Sequence, residues 1–117
     1  MQTRPSPSHR LIVLDLAIEA IATARPVVAR IRRHDRDLGE QLRRALSSTA
    51  LNIGEGDHSE GGNRISRFST AAGSAAEVRA ALRVAVAWGY VETADVEPID
   101  ALLDRVARML HGLGARR

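Results

Sequence analysis

The stretch Arg44-Ala45-Leu46-Ser47-Ser48-Thr49-Ala50-Leu51-Asn52-Ile53-Gly54-Glu55-Gly56 indicates the fold class of this chain. In it and just before it, apolar and small residues recur at the three- and four-residue spacing of one helix face. These positions are 38, 42, 45, 46, 49 and 53. The pattern predicts an amphipathic helix that ends near the glycines at 54 and 56.

Helical spacing also extends to both sides of this stretch. It predicts a first helix from near Ser8 to about Arg33, which Pro26 should kink because proline lacks an amide hydrogen, and a turn at residues 34–37. After a loop at 57–63, Asn63 is the predicted N-cap of a third helix that ends near Trp88-Gly89. Thr93 or Asp95 is predicted to cap a fourth helix.

Four helices with short connections imply an all-α fold, an antiparallel up-down-up-down four-helix bundle. We predict that the bundle covers residues 9–113 as one domain. Residues 1–8 contain two prolines and no apolar periodicity, so they are predicted to be a disordered N-terminal tail. Residues 114–117 are predicted to be a C-terminal tail.

The composition limits how such a bundle is stabilised and where it works. The 117 residues include no cysteine, which excludes disulfides and suits a reducing cytoplasm. Asp15 and Glu19 interrupt the apolar N-terminal run, so we predict a cytoplasmic protein that does not enter the membrane. The alanine-rich core buries little area per residue, so the chain gains stability either by bringing its helices close together or by burying further surface between subunits. The second route predicts a homo-oligomer.

All 17 basic residues are arginine, and seven of them lie between positions 25 and 44, against three acids. Within this bend, the candidate nucleic-acid-binding residues are Arg30, Arg32, Arg33, Arg36, Arg43 and Arg44. An alternative stays open, because an antiparallel bundle places the acids of the fourth helix at the same end. These acids are Glu92, Asp95, Glu97, Asp100 and Asp104. In that case the charges would form a solvated or intersubunit network.

No residue pattern in the chain indicates catalysis. The glycines at 54, 56, 61 and 62 are not followed by the lysine of a phosphate-binding loop, and no strand precedes them. Asp57, His58 and Glu60 match no standard metal-site spacing. We therefore predict a protein that is not an enzyme and that binds no metal or cofactor.

A further set of polar and small residues has a specific spacing. It comprises Ser48-x-x-x-Asn52-Ile53-x-Glu55-Gly56, Arg67-Phe68, Gly73-Ser74-x-x-Glu77 and Gly89-Tyr90. Gly73 and Glu77 share a helical face, which predicts close helix approach beside a paired glutamate. The set is either a structural hydrogen-bond network or a surface that recognises a partner.

These motifs, across residues 10 to 113, resemble the bacterial four-helix bundle protein family, first noted in intervening sequences of large-subunit ribosomal RNA genes. The resemblance implies a bundle that assembles as a homopentameric ring and has no assigned activity. Relatives include the accessory variability proteins of diversity-generating retroelements, which associate with nucleic acid and reverse transcriptase. The resemblance therefore implies RNA, DNA or a protein as a partner of this chain. The chain departs from the family pattern at Pro26, at Gly54, where alanine is usual, and in lacking lysine.

Overall fold

Four α-helices form the structure, a computed structural model that describes the backbone of residues 9–115 and the side chains of residues 12–115. The helices are α1 (His9–His34), α2 (Arg36–Asp57), α3 (Gly61–Ala87) and α4 (Thr93–Gly112). Each helix packs against the next one in the sequence, and α4 packs back against α1. The predicted all-α, antiparallel up-down-up-down four-helix bundle is confirmed.

The core consists of two clusters of apolar side chains stacked along the bundle. One cluster includes Ile31 and Leu82 and lies at the end that holds the α1–α2 and α3–α4 connections, which we call the bend end. The other includes Ile53 and Phe68 and lies at the end that holds the α2–α3 connection, the loop end. Alanine is the most frequent residue in both clusters, so the helices can approach each other closely.

The turn between α1 and α2 is shorter than the four residues predicted. Asp35 alone separates the two helices, and its Oδ1 accepts a hydrogen bond from the backbone N–H of Leu38 at 3.0 Å. This N-cap satisfies an amide that has no partner inside the helix, which lets α2 begin at once. Pro26 does not interrupt α1, which continues to His34.

At the α2–α3 connection the predicted end of α2 is correct to within one residue, whereas the predicted N-cap of α3 is wrong. The helix α2 ends at Asp57, directly after Gly56, and both Gly54 and Gly56 keep helical geometry. The residue that caps α3 is Glu60 rather than Asn63, so only residues 58–60 connect the two helices. At Gly61, the first residue of α3, φ is +56°. Glycine adopts this left-handed conformation readily, and this allows the connection to be short.

The connection between α3 and α4 also differs slightly from the prediction. The N-cap of α4 is Glu92 rather than Thr93 or Asp95, and Asp95 completes a capping box with it. In that box the Asp95 carboxylate accepts a hydrogen bond from the Glu92 backbone N–H at 2.9 Å. These reciprocal bonds satisfy free amides at the start of α4.

The predicted tail at residues 1–8 lies outside the described residues. Of the predicted tail at 114–117, Gly114 and Ala115 are described, and Ala115 is buried in the loop-end core cluster. No helix within residues 9–115 is long and apolar enough to cross a membrane.

Candidate functional site

Three of the six predicted nucleic-acid-binding arginines take part in ion pairs. Arg30 lies 3.3 Å from Asp95 of α4, and Glu40 binds both Arg32 and Arg43, at 3.0 and 3.2 Å. The hydrogen bond from Arg43, together with the positive charges around it, holds the pKa of Glu40 below its usual value. The arginine side chains of these pairs are exposed, so the pairs contribute little to stability.

The other three predicted arginines are Arg33, Arg36 and Arg44. They are exposed, and none has an ion-pair partner among the side chains of residues 12–115. None of the three is therefore held by a carboxylate in the described part of one chain, although the charge of Arg44 contributes to the lowered pKa of Glu40. We call these three residues the unpaired arginines.

The acids of α4 neutralise the bend less than the alternative interpretation expects. Only Asp95 contacts an arginine of the bend, whereas Asp100 and Asp104 bind Arg79 of α3 at 2.8 and 3.2 Å. The hydrogen bond from Arg79 to Asp100 is the main reason that the pKa of this guanidinium is raised. These two acids therefore join α3 to α4 and leave the bend largely positive.

Two of the motif residues, Gly56 and Phe68, form a close contact in the core. The Phe68 ring is fully buried, and a Cβ atom at position 56 would lie 2.5 Å from its Cε1 atom. The carbonyl oxygen of Gly56 also accepts a hydrogen bond from Arg64 Nε at 3.2 Å. The glycine therefore allows the end of α2 to rest directly on the first turns of α3.

Three other motif residues, Asn52, Glu55 and Arg67, meet on the surface between α2 and α3. Arg67 donates a hydrogen bond to Asn52 Oδ1 at 3.4 Å and lies 3.9 Å from the Glu55 carboxylate.

Polar pairs continue along the same boundary towards the bend end. The hydroxyls of Ser48 and Ser74 are 2.8 Å apart, and Gln41 donates to the motif residue Glu77 at 3.4 Å. We call this row of contacts the polar seam, and its members are Gln41, Ser48, Asn52, Glu55, Arg67, Ser74 and Glu77.

Gly73 does not have the role that its spacing predicted. It is exposed, and a Cβ atom there would meet nothing within 4 Å, so no helix approaches it closely in the monomer. The error arises because Gly73 shares the outer face of α3 with Glu77, and that face points away from the core. Among the described residues, the glycines that permit close helix approach are Gly56 at the loop end and Gly39 at the bend end.

A groove between α1 and α2 was not predicted. It consists of two open depressions, of about 570 Å³ towards the bend end and about 590 Å³ towards the loop end. Apolar and small residues line them, among them Ile18, Ala22, Pro26, Ala29 and Leu51, together with charged residues that include Arg25, Arg32, Arg43 and Glu55. Ile18 is 52% exposed and Leu51 67%. Leu51 does not belong to the apolar stripe of α2. This is the one feature of the sequence which indicates that its side chain faces outwards.

The bend end also carries three aromatic rings that the sequence did not place together. Tyr90 stacks on His34, with ring centroids 5.2 Å apart, and on Trp88, with centroids 6.4 Å apart. The Tyr90 hydroxyl donates to Asp35 Oδ2 at 3.3 Å, and partial burial together with this carboxylate raises the pKa of Tyr90. We call His34, Tyr90 and Trp88 the aromatic column.

Groups suited to catalysis or metal binding are not gathered in the described part of the chain. Residues 12–115 contain no cluster of three histidine, aspartate or glutamate side chains that would hold a metal ion. The serine hydroxyls of the polar seam contact each other rather than a histidine. The helical geometry of Gly54 and Gly56 also leaves no loop of amides there for a phosphate.

Comparisons with known proteins agree with this architecture. A crystal structure of a protein of unknown function from the S23 ribosomal protein family of Bacteroides thetaiotaomicron VPI-5482 superposes with a TM-score of 0.82. The match covers 91% of this chain and 97% of that one at 16% sequence identity, so it shows the fold alone. No curated protein matches the chain. Residues 10–112 match the profile of the 23S rRNA-intervening sequence proteins, and the chain therefore belongs to that family.

Proposed function

We propose that this protein is a non-enzymatic, self-assembling four-helix bundle that acts as a structural or accessory module for a partner. The observation that carries the proposal is the α1–α2 groove, where Ile18 and Leu51 stand exposed beside small apolar residues. Large apolar side chains exposed together on a surface are typical of an interaction site. We assign its occupant as a second copy of the same chain.

Two features support a copy of the chain as the occupant. The core relies on alanine, so a single bundle gains little from each buried residue, and covering the groove would add the apolar area that the core lacks. The family resemblance implies a homopentameric ring. In a ring each subunit presents one surface to the neighbour on one side and a different surface to the other, so the groove needs to supply only one of them.

Light-scattering mass measurement on the purified protein tests this proposal. We expect an oligomer, and the family resemblance predicts a mass five times the 12.7 kDa of one chain. Leu51→Arg and Ile18→Arg should each reduce the mass to that of a smaller species while circular dichroism shows the helices intact. Ala101→Arg places the same charge on the exposed side of α4 and serves as the matched control. A monomeric natural protein would refute self-assembly, and an unchanged mass for Leu51→Arg would refute the groove as its site.

A second candidate function is nucleic-acid binding at the bend end, and the unpaired arginines favour it. Arg33, Arg36 and Arg44 form no ion pair with a described side chain, and guanidinium groups bind phosphate oxygens in a bidentate manner. The phosphates of RNA or DNA would take the place of the missing carboxylates. This function is compatible with self-assembly, because an oligomer would multiply the positive surface.

Salt dependence separates this candidate from a purely structural role. We expect affinity for single-stranded nucleic acid to fall steeply as salt rises, with a slope that decreases by about 0.7 for each phosphate that a variant no longer binds. Replacing the unpaired arginines by glutamine should reduce the slope more than replacing Arg30, Arg32 and Arg43, because those three already have carboxylate partners. Equal effects of the two triple variants would refute the assignment, and undetectable binding would refute the function.

A further inference from the structure

The geometry points to Trp88 as a stacking site for an unpaired nucleobase of a single-stranded nucleic acid. This inference rests on the second candidate function, nucleic-acid binding, and adds to it a residue and a ligand class. Phosphate contacts by arginine do not distinguish single strands from duplexes. An exposed aromatic face does, because bases in a duplex already stack on one another.

Trp88 stands at the open end of the aromatic column. Its ring lies within 17° of parallel to that of Tyr90, which in turn lies within 7° of parallel to that of His34. Tyr90 is in the middle of the three and half-buried, whereas Trp88 is 69% exposed. One ring face of Trp88 is therefore turned towards Tyr90, and a planar base can extend the column on the other.

Backbone and side-chain hydrogen bonds hold the column in place. The N–H of Trp88 donates to the Val84 carbonyl at 3.0 Å, and the N–H of Tyr90 donates to the Ala85 carbonyl at 3.0 Å. Between them Gly89 has a φ of +79°, a conformation that glycine adopts readily and that turns the chain sharply. The bond from the Tyr90 hydroxyl to Asp35 fixes the column to the α1–α2 turn. These bonds fix the backbone on both sides of Gly89 and the Tyr90 ring, and stacking on Tyr90 orients the Trp88 ring that a base would meet.

Positive charge lies next to the column along the chain. Arg33 directly precedes His34, Arg36 directly follows Asp35, and both belong to the unpaired arginines. Bases and phosphates alternate along a single strand, so an exposed aromatic face at the same end of the bundle as these guanidinium groups offers contacts to both parts of the ligand. The chain has only three aromatic residues of the Phe, Trp and Tyr type, and two of them are placed here.

Trp88 is the only tryptophan, so its intrinsic fluorescence tests the inference directly. The full chain is titrated at low salt with oligo(dA) and with an oligomer of equal length that lacks bases, while binding is followed by anisotropy of a label on the oligomer. We expect both to bind and only oligo(dA) to quench Trp88, because stacking requires a base. A parallel titration with oligo(rA) distinguishes RNA from DNA, and quenching by either supports the inference.

Three results would overturn it. Binding of oligo(dA) and oligo(rA) without quenching would leave nucleic-acid binding intact and remove the stacking site, whereas no binding to any oligomer would remove both. Shielding of Trp88 from acrylamide in the free protein would show that another protein surface covers it.

Variants separate stacking from a structural role of Trp88. Trp88→Leu should weaken oligo(dA) binding by about 5- to 140-fold and leave the base-free oligomer unaffected, whereas Trp88→Phe should have a smaller effect. Val84→Ala, an exposed apolar change one turn earlier in α3, is the matched control and should leave both affinities unchanged. Circular dichroism and light scattering on each variant confirm fold and assembly. Unchanged oligo(dA) affinity in a folded Trp88→Leu protein would overturn the inference.

Discussion

Replacing Gly56 with alanine should destabilise the bundle, whereas the same change at Gly73 should stabilise it. An alanine Cβ at position 56 would lie 2.5 Å from Cε1 and 2.6 Å from Cδ1 of Phe68. Carbon atoms in favourable contact are about 3.5–4.0 Å apart, and the fully buried ring has little room to move. At Gly73 the new methyl group would meet nothing within 4 Å.

The expected magnitudes follow from two opposing effects. Alanine stabilises a helix interior by about 1 kcal/mol relative to glycine, which is the whole effect at Gly73. Gly56 lies next to the last residue of α2, so we take about half of that gain there, and overpacking costs about 1–3 kcal/mol. The net loss at Gly56 is therefore about 0.5–2.5 kcal/mol, and the two variants should differ by about 1.5–3.5 kcal/mol.

Urea unfolding followed by circular dichroism measures this difference. All variants are compared at one protein concentration, because assembly makes apparent stability depend on concentration. In a Phe68→Leu background the cost of Gly56→Ala should shrink, since the ring atoms that it meets are gone. Gly56→Ala as stable as Gly73→Ala would refute the idea that contact with Phe68 is what requires glycine at position 56.

Three further predictions concern the bend end. Gly39→Ala should lower the free energy of unfolding in urea by about 2–3 kcal/mol, because the alanine Cβ would lie 2.8 Å from the Cα of Arg32 and a backbone atom cannot rotate aside. Unchanged stability would contradict the close approach of α1 and α2. Asp35→Ala should lower the free energy of unfolding, measured by heat or urea, by about 1 kcal/mol because the α2 N-cap is lost. Asp35→Asn should keep most of the stability. Equal losses in the two variants would show that the carboxylate charge matters instead. The lowered pKa of Glu40 means that its carboxylate stabilises the fold above the ordinary glutamate pKa and ceases to do so as pH falls through the lowered value. The stability difference between the natural protein and Glu40→Gln should therefore be present at neutral pH and vanish in acid, and a pH-independent difference would contradict the ion pairs at Glu40.

Helix number and direction could be predicted because they depend on local spacing. The stripe from Leu42 to Ile53 shows which face of α2 is buried without knowledge of any other helix. The connections were predicted less well, because a glycine that ends a helix and a glycine that allows a close contact look the same in sequence. Gly56 does lie at the end of α2, as its position in the sequence predicts, but its contact with Phe68, twelve positions further on, has no signal in local spacing.

The same contrast applies to the candidate surfaces: features that depend on residues close in sequence were predictable, and features that depend on distant residues were not. The arginines of the bend are close in sequence, so their grouping was predictable, but which of them bind carboxylates depends on side chains such as Asp95 on another helix. The contact between Tyr90 and Asp35 joins residues 55 positions apart, and no periodicity encodes it. The groove arises because α1 and α2 expose Ile18 and Leu51 on adjoining faces, which requires their relative rotation.

The antiparallel order of the helices separates the start of α1 and the end of α4 from the aromatic column. Both lie at the loop end, beside the core cluster around Phe68, while Trp88 lies at the bend end of a molecule 54 Å long. A fluorescent donor attached within the last turn of α4 would therefore sit at the far end of the bundle. Energy transfer between such a donor and a labelled oligonucleotide would then report the direction in which a bound strand leaves Trp88.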